Sequence, residues 1–332
     1  MAEKKDKLTL QALQAHRKVQ EARQDALMGL PNVVGTALST KITAGEDTEE
    51  PSLTVFVEQK LPEDMLASGQ RVPKEVDGIA TDVIQTGVFF AGQEPVATIP
   101  ATGGPATDVG IEVLTSRVRP AKGGFSVGHY QITAGTYATG VYDASAFPGI
   151  PSRYYILSNN HVLANSNNAR INDPILQPGP YDGGVPARDT IAHLSRFVPI
   201  NFSGAPNLVD AAIAEGKFEQ LDREIYWIGY ARGGAPAPTI GMAVQKTGRT
   251  TNWTSGTIIA LNATVNVNYG SGKVARFVRQ IVTSNMSAPG DSGSLLLDLD
   301  NRVVGLLFAG SSTHTIYNDI RPVQHLLGIR IA

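Results

Sequence analysis

Ala288-Pro289-Gly290-Asp291-Ser292-Gly293-Ser294 leads directly into the apolar run Leu295-Leu296-Leu297. A serine set between small, permissive positions, after Gly-Asp and before a strand-like run, is suited to presenting an exposed hydroxyl. Gly290 lets the backbone turn sharply, so the amides of Gly290 and Ser292 can point into one small space. Two converging N–H groups beside a nucleophile are what a developing oxyanion needs. Gly-Asp-Ser-Gly is common by chance, and its weight depends on what precedes it.

Working back along the chain, Tyr154-Tyr155-Ile156-Leu157-Ser158-Asn159-Asn160-His161-Val162-Leu163 carries an apolar strand into a small polar turn that ends on a histidine. In Asn207-Leu208-Val209-Asp210-Ala211-Ala212-Ile213-Ala214 an acid interrupts an apolar run. A lone buried carboxylate is costly unless it is paired or strongly hydrogen-bonded, and an imidazole N–H is a suitable partner. The chain order His161, Asp210, Ser292 is one of the known orders of a nucleophile–base–acid triad, and differs from the orders used on other hydrolase folds. The bland alternative makes Ser292 a turn residue, His161 a core histidine and Asp210 a loop cap. Order and flanks together favour the triad.

On these residues the chain resembles the trypsin-like (chymotrypsin-fold) serine peptidases, and more closely their bacterial and plant Narrow leaf-type branch. The resemblance extends over most of 31–330. It is carried by Leu30-Pro31-Asn32-Val33-Val34-Gly35, Val55-Phe56-Val57 and Val72-Pro73-Lys74-Glu75-Val76-Asp77-Gly78. Further on it runs through Gly128-His129-Tyr130, Ile132-Thr133-Ala134-Gly135-Thr136, Ser158 to Leu163, Asp173-Pro174-Ile175-Leu176-Gln177-Pro178-Gly179, Thr247-Gly248-Arg249-Thr250-Thr251 and Ala288 to Ser294. It implies a mainly β fold, a chymotrypsin-like double β-barrel preceded by an N-terminal helix and a small α/β domain. It also implies serine endopeptidase activity, with His161, Asp210 and Ser292 as the catalytic residues and Gly290 and Ser292 as the oxyanion hole. In such enzymes the acid equivalent to Asp291 needs a cationic or hydrogen-bonding partner to hold the oxyanion loop open. The chain has no Arg/Lys-Ile-Val-Gly-Gly activation site ahead of the barrels, so that partner is either internal or supplied by another molecule. Counting back from the turn puts Met286 and Ser287 on one wall of the primary pocket, with Phe308, Ala309 and Gly310 facing them. No acid lies between Ile281 and Pro289; a pocket for Arg or Lys would need one. Cleavage after uncharged, mainly apolar residues is therefore expected unless Asp319 reaches the pocket.

Composition agrees with a turn-rich β protein. Only 17% of the 332 residues are charged and 34 are glycine, which suits many short strands. The length accommodates two or three domains. A net charge of −2 gives no electrostatic reason to expect nucleic acid. The absence of cysteine excludes disulfides, thiolate metal sites and a thiol nucleophile. The first thirty residues are charged and lack a signal-peptide core, and no apolar run reaches membrane-spanning length. The expectation is a cytoplasmic enzyme with protein or peptide substrates, no membrane or nucleic-acid partner, and no cofactor.

Residues 1–30 are expected to be helical from 7 to 29, with Leu8, Ala12, Ala15, Val19, Ala22 and Ala26 forming a narrow seam. So weak a seam favours docking on the chain's own domain, with homo-oligomer formation through the helix or the accessory domain as the other outcome. Residues 31–99 read as a small α/β module, and 100–110 as a linker within a Pro/Gly/Ala/Thr-rich stretch. The first barrel is expected over 111–219, with His161 and Asp210, and the second over 220–332, with Ser292 and a closing helix at Arg321–Gly328.

Competing signals are weaker. Gly124-Phe125-Ser126-Val127-Gly128 matches a nucleophile elbow of an α/β-hydrolase-type esterase, but the strand-before, helix-after context is missing around Ser126. Gly270-Ser271-Gly272-Lys273 fails as a phosphate loop because Val267 and Val274 stand at its key positions. His16, His129, His193, His314 and His325 show no metal-ligand spacing and read as structural, so no metal site is expected. An alternative of another class is a catalytically silent protease fold that binds a peptide or serves as a scaffold, with the peptide pairing along an edge strand near Leu307–Gly310.

Overall fold

The computed structural model describes residues 8–92, 114–144 and 153–331. The expected 100–110 linker and the start of the first barrel at 111 lie outside them. The chain is mainly β, with one helix leading and one closing.

The leading helix spans Gln14–Met28, shorter than the sequence pattern suggests, and it presents a different face. Leu13, Gln20 and Leu27 are buried, while Ala12, Ala15, Ala22 and Ala26 are exposed. Seven-residue spacing is nearly two helical turns, so the three buried residues share one stripe. Leucine removes much more apolar surface from water than alanine, and Gln20 finds polar partners beneath the helix. Its amide donates to the Asn262 carbonyl at 2.9 Å and to Thr36 at 3.3 Å, and accepts from Asn262 Nδ2 at 3.0 Å. These contacts set the helix rotation. The helix docks on its own chain, sharing a core with Leu38, Leu53, Val55 and Val57.

That core belongs to a small sheet. Val33–Thr43 and Glu46–Val57 form an antiparallel hairpin, and Ile79–Gln85 lies parallel to the second of these strands. Val33–Thr43 also pairs antiparallel with Asn252–Asn268, with Gly35 opposite Val265 and Leu38 opposite Leu261. The N-terminal sheet is therefore continuous with the C-terminal half.

There, Ala243–Gly248, Leu295–Asp298, Val303–Gly310, His314–Asp319, Val274–Ser284 and Asn252–Asn268 pair in sequence, each antiparallel to the next, and the last returns to the first. The middle of the chain forms a second, eight-stranded sheet containing Tyr154–Ser158, Ala212–Gly216 and Thr190–Phe197. The closing helix, Ile320–Leu327, is capped by the Asp319 side chain and ends at left-handed Gly328. It returns the chain to this sheet through Ile329–Arg330.

The unbroken apolar runs have a simple reason. Ile156 points inside the middle sheet with Val127, Tyr137 and Leu194, and Leu296 points inside the C-terminal ring with Val244, Ile258 and Tyr317. Their neighbours Tyr155, Leu157, Leu295 and Leu297 face the opposite way and pack together between the two halves, sealed by Val323 and Leu327 of the closing helix. Strands buried on both faces cannot alternate with polar residues.

Candidate active site

His161 lies on a one-turn helix, Asn160–Leu163, directly after the Tyr154–Ser158 strand. Asp210 precedes the Ala212–Gly216 strand rather than interrupting it. These strands are hydrogen-bonded neighbours, Ser158 opposite Ala212, which brings the two side chains together. Asp210 Oδ2 is 2.6 Å from His161 Nδ1, and Oδ1 accepts from the His161 backbone N–H at 3.1 Å.

Asp210 is fully buried, and its remaining capacity is used by residues that the sequence pattern did not single out. The Tyr269 hydroxyl donates to Oδ2 at 2.7 Å. Asn318 accepts from the Asp210 backbone N–H at 2.9 Å, and Asn159 donates to its carbonyl at 2.8 Å. Burial, reinforced by the Asp210 charge, pushes the Tyr269 hydroxyl well above its ordinary range, so it remains a donor. Tyr269, just past the Asn252–Asn268 strand, and Asn318, on the His314–Asp319 strand, lie about sixty and a hundred residues downstream of Asp210, and no local motif marks them.

Ser292 sits at the end of the Gly-Asp-Ser turn, 5% exposed. Gly290 and Gly293 both have left-handed backbones, φ +100 and +101. A Cβ on Gly293 would lie 2.1 Å from the Thr136 carbonyl oxygen and 2.2 Å from Ser158 Oγ, so only glycine fits there. Thr136 ties this turn to the middle sheet: its N–H donates to the Ser292 carbonyl at 2.7 Å and its hydroxyl to the Gly290 carbonyl at 2.9 Å. Among the described residues nothing accepts from the amides of Gly290 or Ser292. His161 Nε2 is likewise buried without a hydrogen-bond partner, so the Ser292–His161 hydrogen bond is not made in this structure. Such bonds commonly tighten only once substrate is seated.

Asp291 points away from Ser292 into a buried polar nest. Lys246 Nζ is 3.1 Å from Oδ2, and both side chains are fully buried. The Thr250 and Thr251 amides donate to Oδ1 at 2.8 and 3.1 Å, while the Thr251 hydroxyl and the Ala288 amide donate to Oδ2 at 2.6 and 3.0 Å. Burial lowers the Lys246 ammonium from its ordinary range, opposed by the Asp291 charge. The donors that order this loop are thus internal. Lys246 was not foreseen, although a charged residue in the strand leading into Thr247-Gly248-Arg249-Thr250-Thr251 was a usable signal.

Beside Ser292 opens a cleft lined by Ser287, Ala288, Pro289, Leu307, Ala309, Gly310 and Ser311, together with Phe90 and Gly92. Of the five expected pocket residues, Ser287, Ala309 and Gly310 line it. Met286 and Phe308 turn into separate apolar cores. Asp319 is engaged by Arg321 and the closing helix. Ser126 is fully buried; its hydroxyl donates to Asp182 and accepts from the Gly179 amide at 3.0 Å. It stands apart from His161 and Asp210 in a structural network that Arg249 completes by pairing with Asp182. His129 pairs with Asp173 at 3.0 Å, and His16 is half-buried on the leading helix. No cluster of three or more metal-ligating side chains occurs among the described residues, and no described helix is long and apolar enough to cross a membrane.

Comparison with known proteins adds to this geometry. A family model described as "Trypsin-like peptidase domain" matches residues 138–306, and one described as "NARROW LEAF 1 N-terminal domain" matches residues 8–88. The chain is 41% identical over 80 residues to serine protease 2 of Streptomyces fradiae, covering 24% of this chain and 37% of that protein. It is 50% identical over 54 residues to glutamyl endopeptidase 2 of Streptomyces griseus, covering 16% of this chain and 26% of that one. It therefore spans well under half the length of either. Among solved structures, the Nocardiopsis protease NAPase matches with a TM-score of 0.46 and 20% identity, over 63% of this chain and 97% of that one.

Proposed function

The chain belongs to the trypsin-like peptidase family, and from that premise we propose that it is a serine endopeptidase using Ser292, His161 and Asp210, acting inside the cell. The observation that carries this reading is the 2.6 Å contact between His161 Nδ1 and fully buried Asp210. It fixes the tautomer that leaves Nε2 free to accept a proton.

In the proposed reaction Ser292 Oγ attacks the scissile carbonyl carbon while His161 Nε2 takes the hydroxyl proton. Asp210 stabilises the imidazolium. The tetrahedral oxygen accepts from the amides of Gly290 and Ser292, held by the Asp291 nest. His161 then gives its proton to the leaving amine, and an acyl-Ser292 intermediate remains. Water, deprotonated by His161, releases the acid. The cleft lining contains neither acid nor base, so the residue before the cut is uncharged, and the preference implied by the name of the glutamyl relative does not transfer. Each methylene in such a pocket discriminates by only ~1–3 kcal/mol, which makes the preference broad.

Fluorophosphonate labelling followed by peptide mapping tests this. The label is expected on Ser292, and is lost in Ser292→Ala together with peptide turnover. Ser126→Ala keeps both, at a stability cost of about 2–3 kcal/mol for its two buried hydrogen bonds, one of them to a carboxylate. Labelling that survives Ser292→Ala would overturn the assignment.

A further inference from the structure

One wall of the cleft beside Ser292 is built by a segment from the N-terminal part of the chain, Phe90 and Gly92. Phe89–Phe90 forms a two-residue strand between two strands of the C-terminal ring. It runs parallel to Val267–Asn268 and antiparallel to Val303–Gly310, with Phe90 opposite Gly310. The Ala91 amide donates to the Asn268 carbonyl at 3.0 Å. Phe89 is fully buried, edge-on to Phe56 with ring centroids 5.9 Å apart, and anchors the segment in the core shared with Phe277 and Phe308.

Past this anchor the chain crosses the site. Phe90 and Gly92 line the same cleft as Ser287, Ser292 and Gly310. Gly92 has φ +84, and a Cβ there would lie 3.4 Å from His161 Cδ2 and 3.6 Å from Nε2. Any side chain at this position would therefore touch the imidazole, whose Nε2 is buried with no hydrogen-bond partner. Ser292 and the His161 side chain are only 5% and 9% exposed.

An extended peptide binds a sheet edge through main-chain hydrogen bonds, and the edge of Val303–Gly310 at Gly310, beside Ser292, is taken by Phe90. From these contacts we infer that Val88–Gly92 is a tethered, substrate-like strand that holds the cleft closed at rest, and that a peptide substrate must displace it. This rests on the peptidase reading above. A tethered competitor acts at an effective concentration on the order of millimolar, and apparent affinity falls with the fraction of molecules whose cleft is open. Weak substrates are therefore excluded, while a long extended peptide that pairs along Gly310 competes. The same geometry defines the substrate as a strand of uncharged residues, with a small one where Gly92 passes His161.

Ala91→Pro tests the gate, because it deletes the Ala91–Asn268 hydrogen bond and leaves the Phe89 anchor in place. Fluorophosphonate labelling of Ser292 in this full-length variant is expected to be at least tenfold faster than in wild type. Peptide turnover should gain through KM with little change in kcat, and a synthetic Val88–Gly92 peptide added in trans should slow both. A second measurement needs no variant. Hydrogen exchange of the Phe89–Ala91 amides in wild type should accelerate when a peptidyl phosphonate occupies Ser292. Equal labelling rates with unchanged exchange overturn the gate and leave the peptidase reading standing. Absence of labelling in both proteins overturns both.

Discussion

At Asp291 five donors converge on one buried carboxylate, and one of them, Lys246, is a fully buried cation. Removing one partner of a buried pair leaves an uncompensated charge, typically costing about 3–5 kcal/mol, whereas removing both is cheaper. Lys246→Met keeps the aliphatic packing and deletes the ammonium. We expect it to destabilise the protein by roughly 3 kcal/mol in denaturant titrations and to slow Ser292 labelling about a hundredfold, the usual scale for a lost oxyanion donor. Adding Asp291→Asn should restore part of the stability but little of the labelling, because the turn between Ala288 and Ser292 would still lack its charged tether. A double variant no more stable than Lys246→Met alone would count against the pair as the organising contact. Asp291 itself was legible in the sequence as a residue in need of a partner. The identity of that partner was not, because Lys246 lies forty-five residues away, on the Ala243–Gly248 strand of the ring.

Secondary-structure elements were easier to place than to orient. The strands at Tyr154–Ser158 and Leu295–Asp298 and the closing helix announce themselves by apolar runs, or by Pro and Gly at the helix ends. The leading helix is the instructive failure. Alanines at alternating four and three spacing outline a stripe, yet the buried stripe is Leu13, Gln20 and Leu27. A polar residue at its centre hides the stripe from any apolar periodicity. Gln20 and Asn262 satisfy each other, and cutting one away strands the other. Gln20→Ala should therefore cost about 2 kcal/mol, read as a shift in the urea midpoint. Ala15→Ser or Ala22→Ser, on the exposed face, should stay within about 0.5 kcal/mol. The reverse ranking would restore the alanine seam.

On the scale of the whole molecule, the N-terminal sheet and the C-terminal ring meet through Val33–Thr43 and Asn252–Asn268, and again where His314 packs against Phe56 with ring centroids 5.9 Å apart. Burial pushes the His314 imidazole down to about 4, while an unfolded histidine titrates near ~6.5. Between these values the unfolded chain binds the extra proton. Stability from the neutral, buried ring is thus intact above about pH 7, declines as pH falls through 6.5 and levels off below 4, a total of about 3 kcal/mol. Denaturation of wild type and His314→Gln from pH 4 to 8 should show this component in wild type only. Carboxylate contributions are common to both proteins and cancel in the difference. Parallel pH profiles would show that His314 carries no such linkage.

The family follows from the resemblance of its motif stretches, while the mainly β architecture and the pairing of His161 with Asp210 follow from local signals: short apolar runs, turn residues and a polar residue at a strand end each constrain their own neighbourhood. Three features were decided only by tertiary structure. These are the Lys246 partner of Asp291, the Tyr269 and Asn318 support of Asp210, and the pairing of Phe90 with Gly310 in the wall of the cleft. Each joins residues far apart in the chain through one or two hydrogen bonds or a close backbone approach. Such contacts leave no periodicity and need no special residue type at more than one position, so they exist only once the sheets have closed.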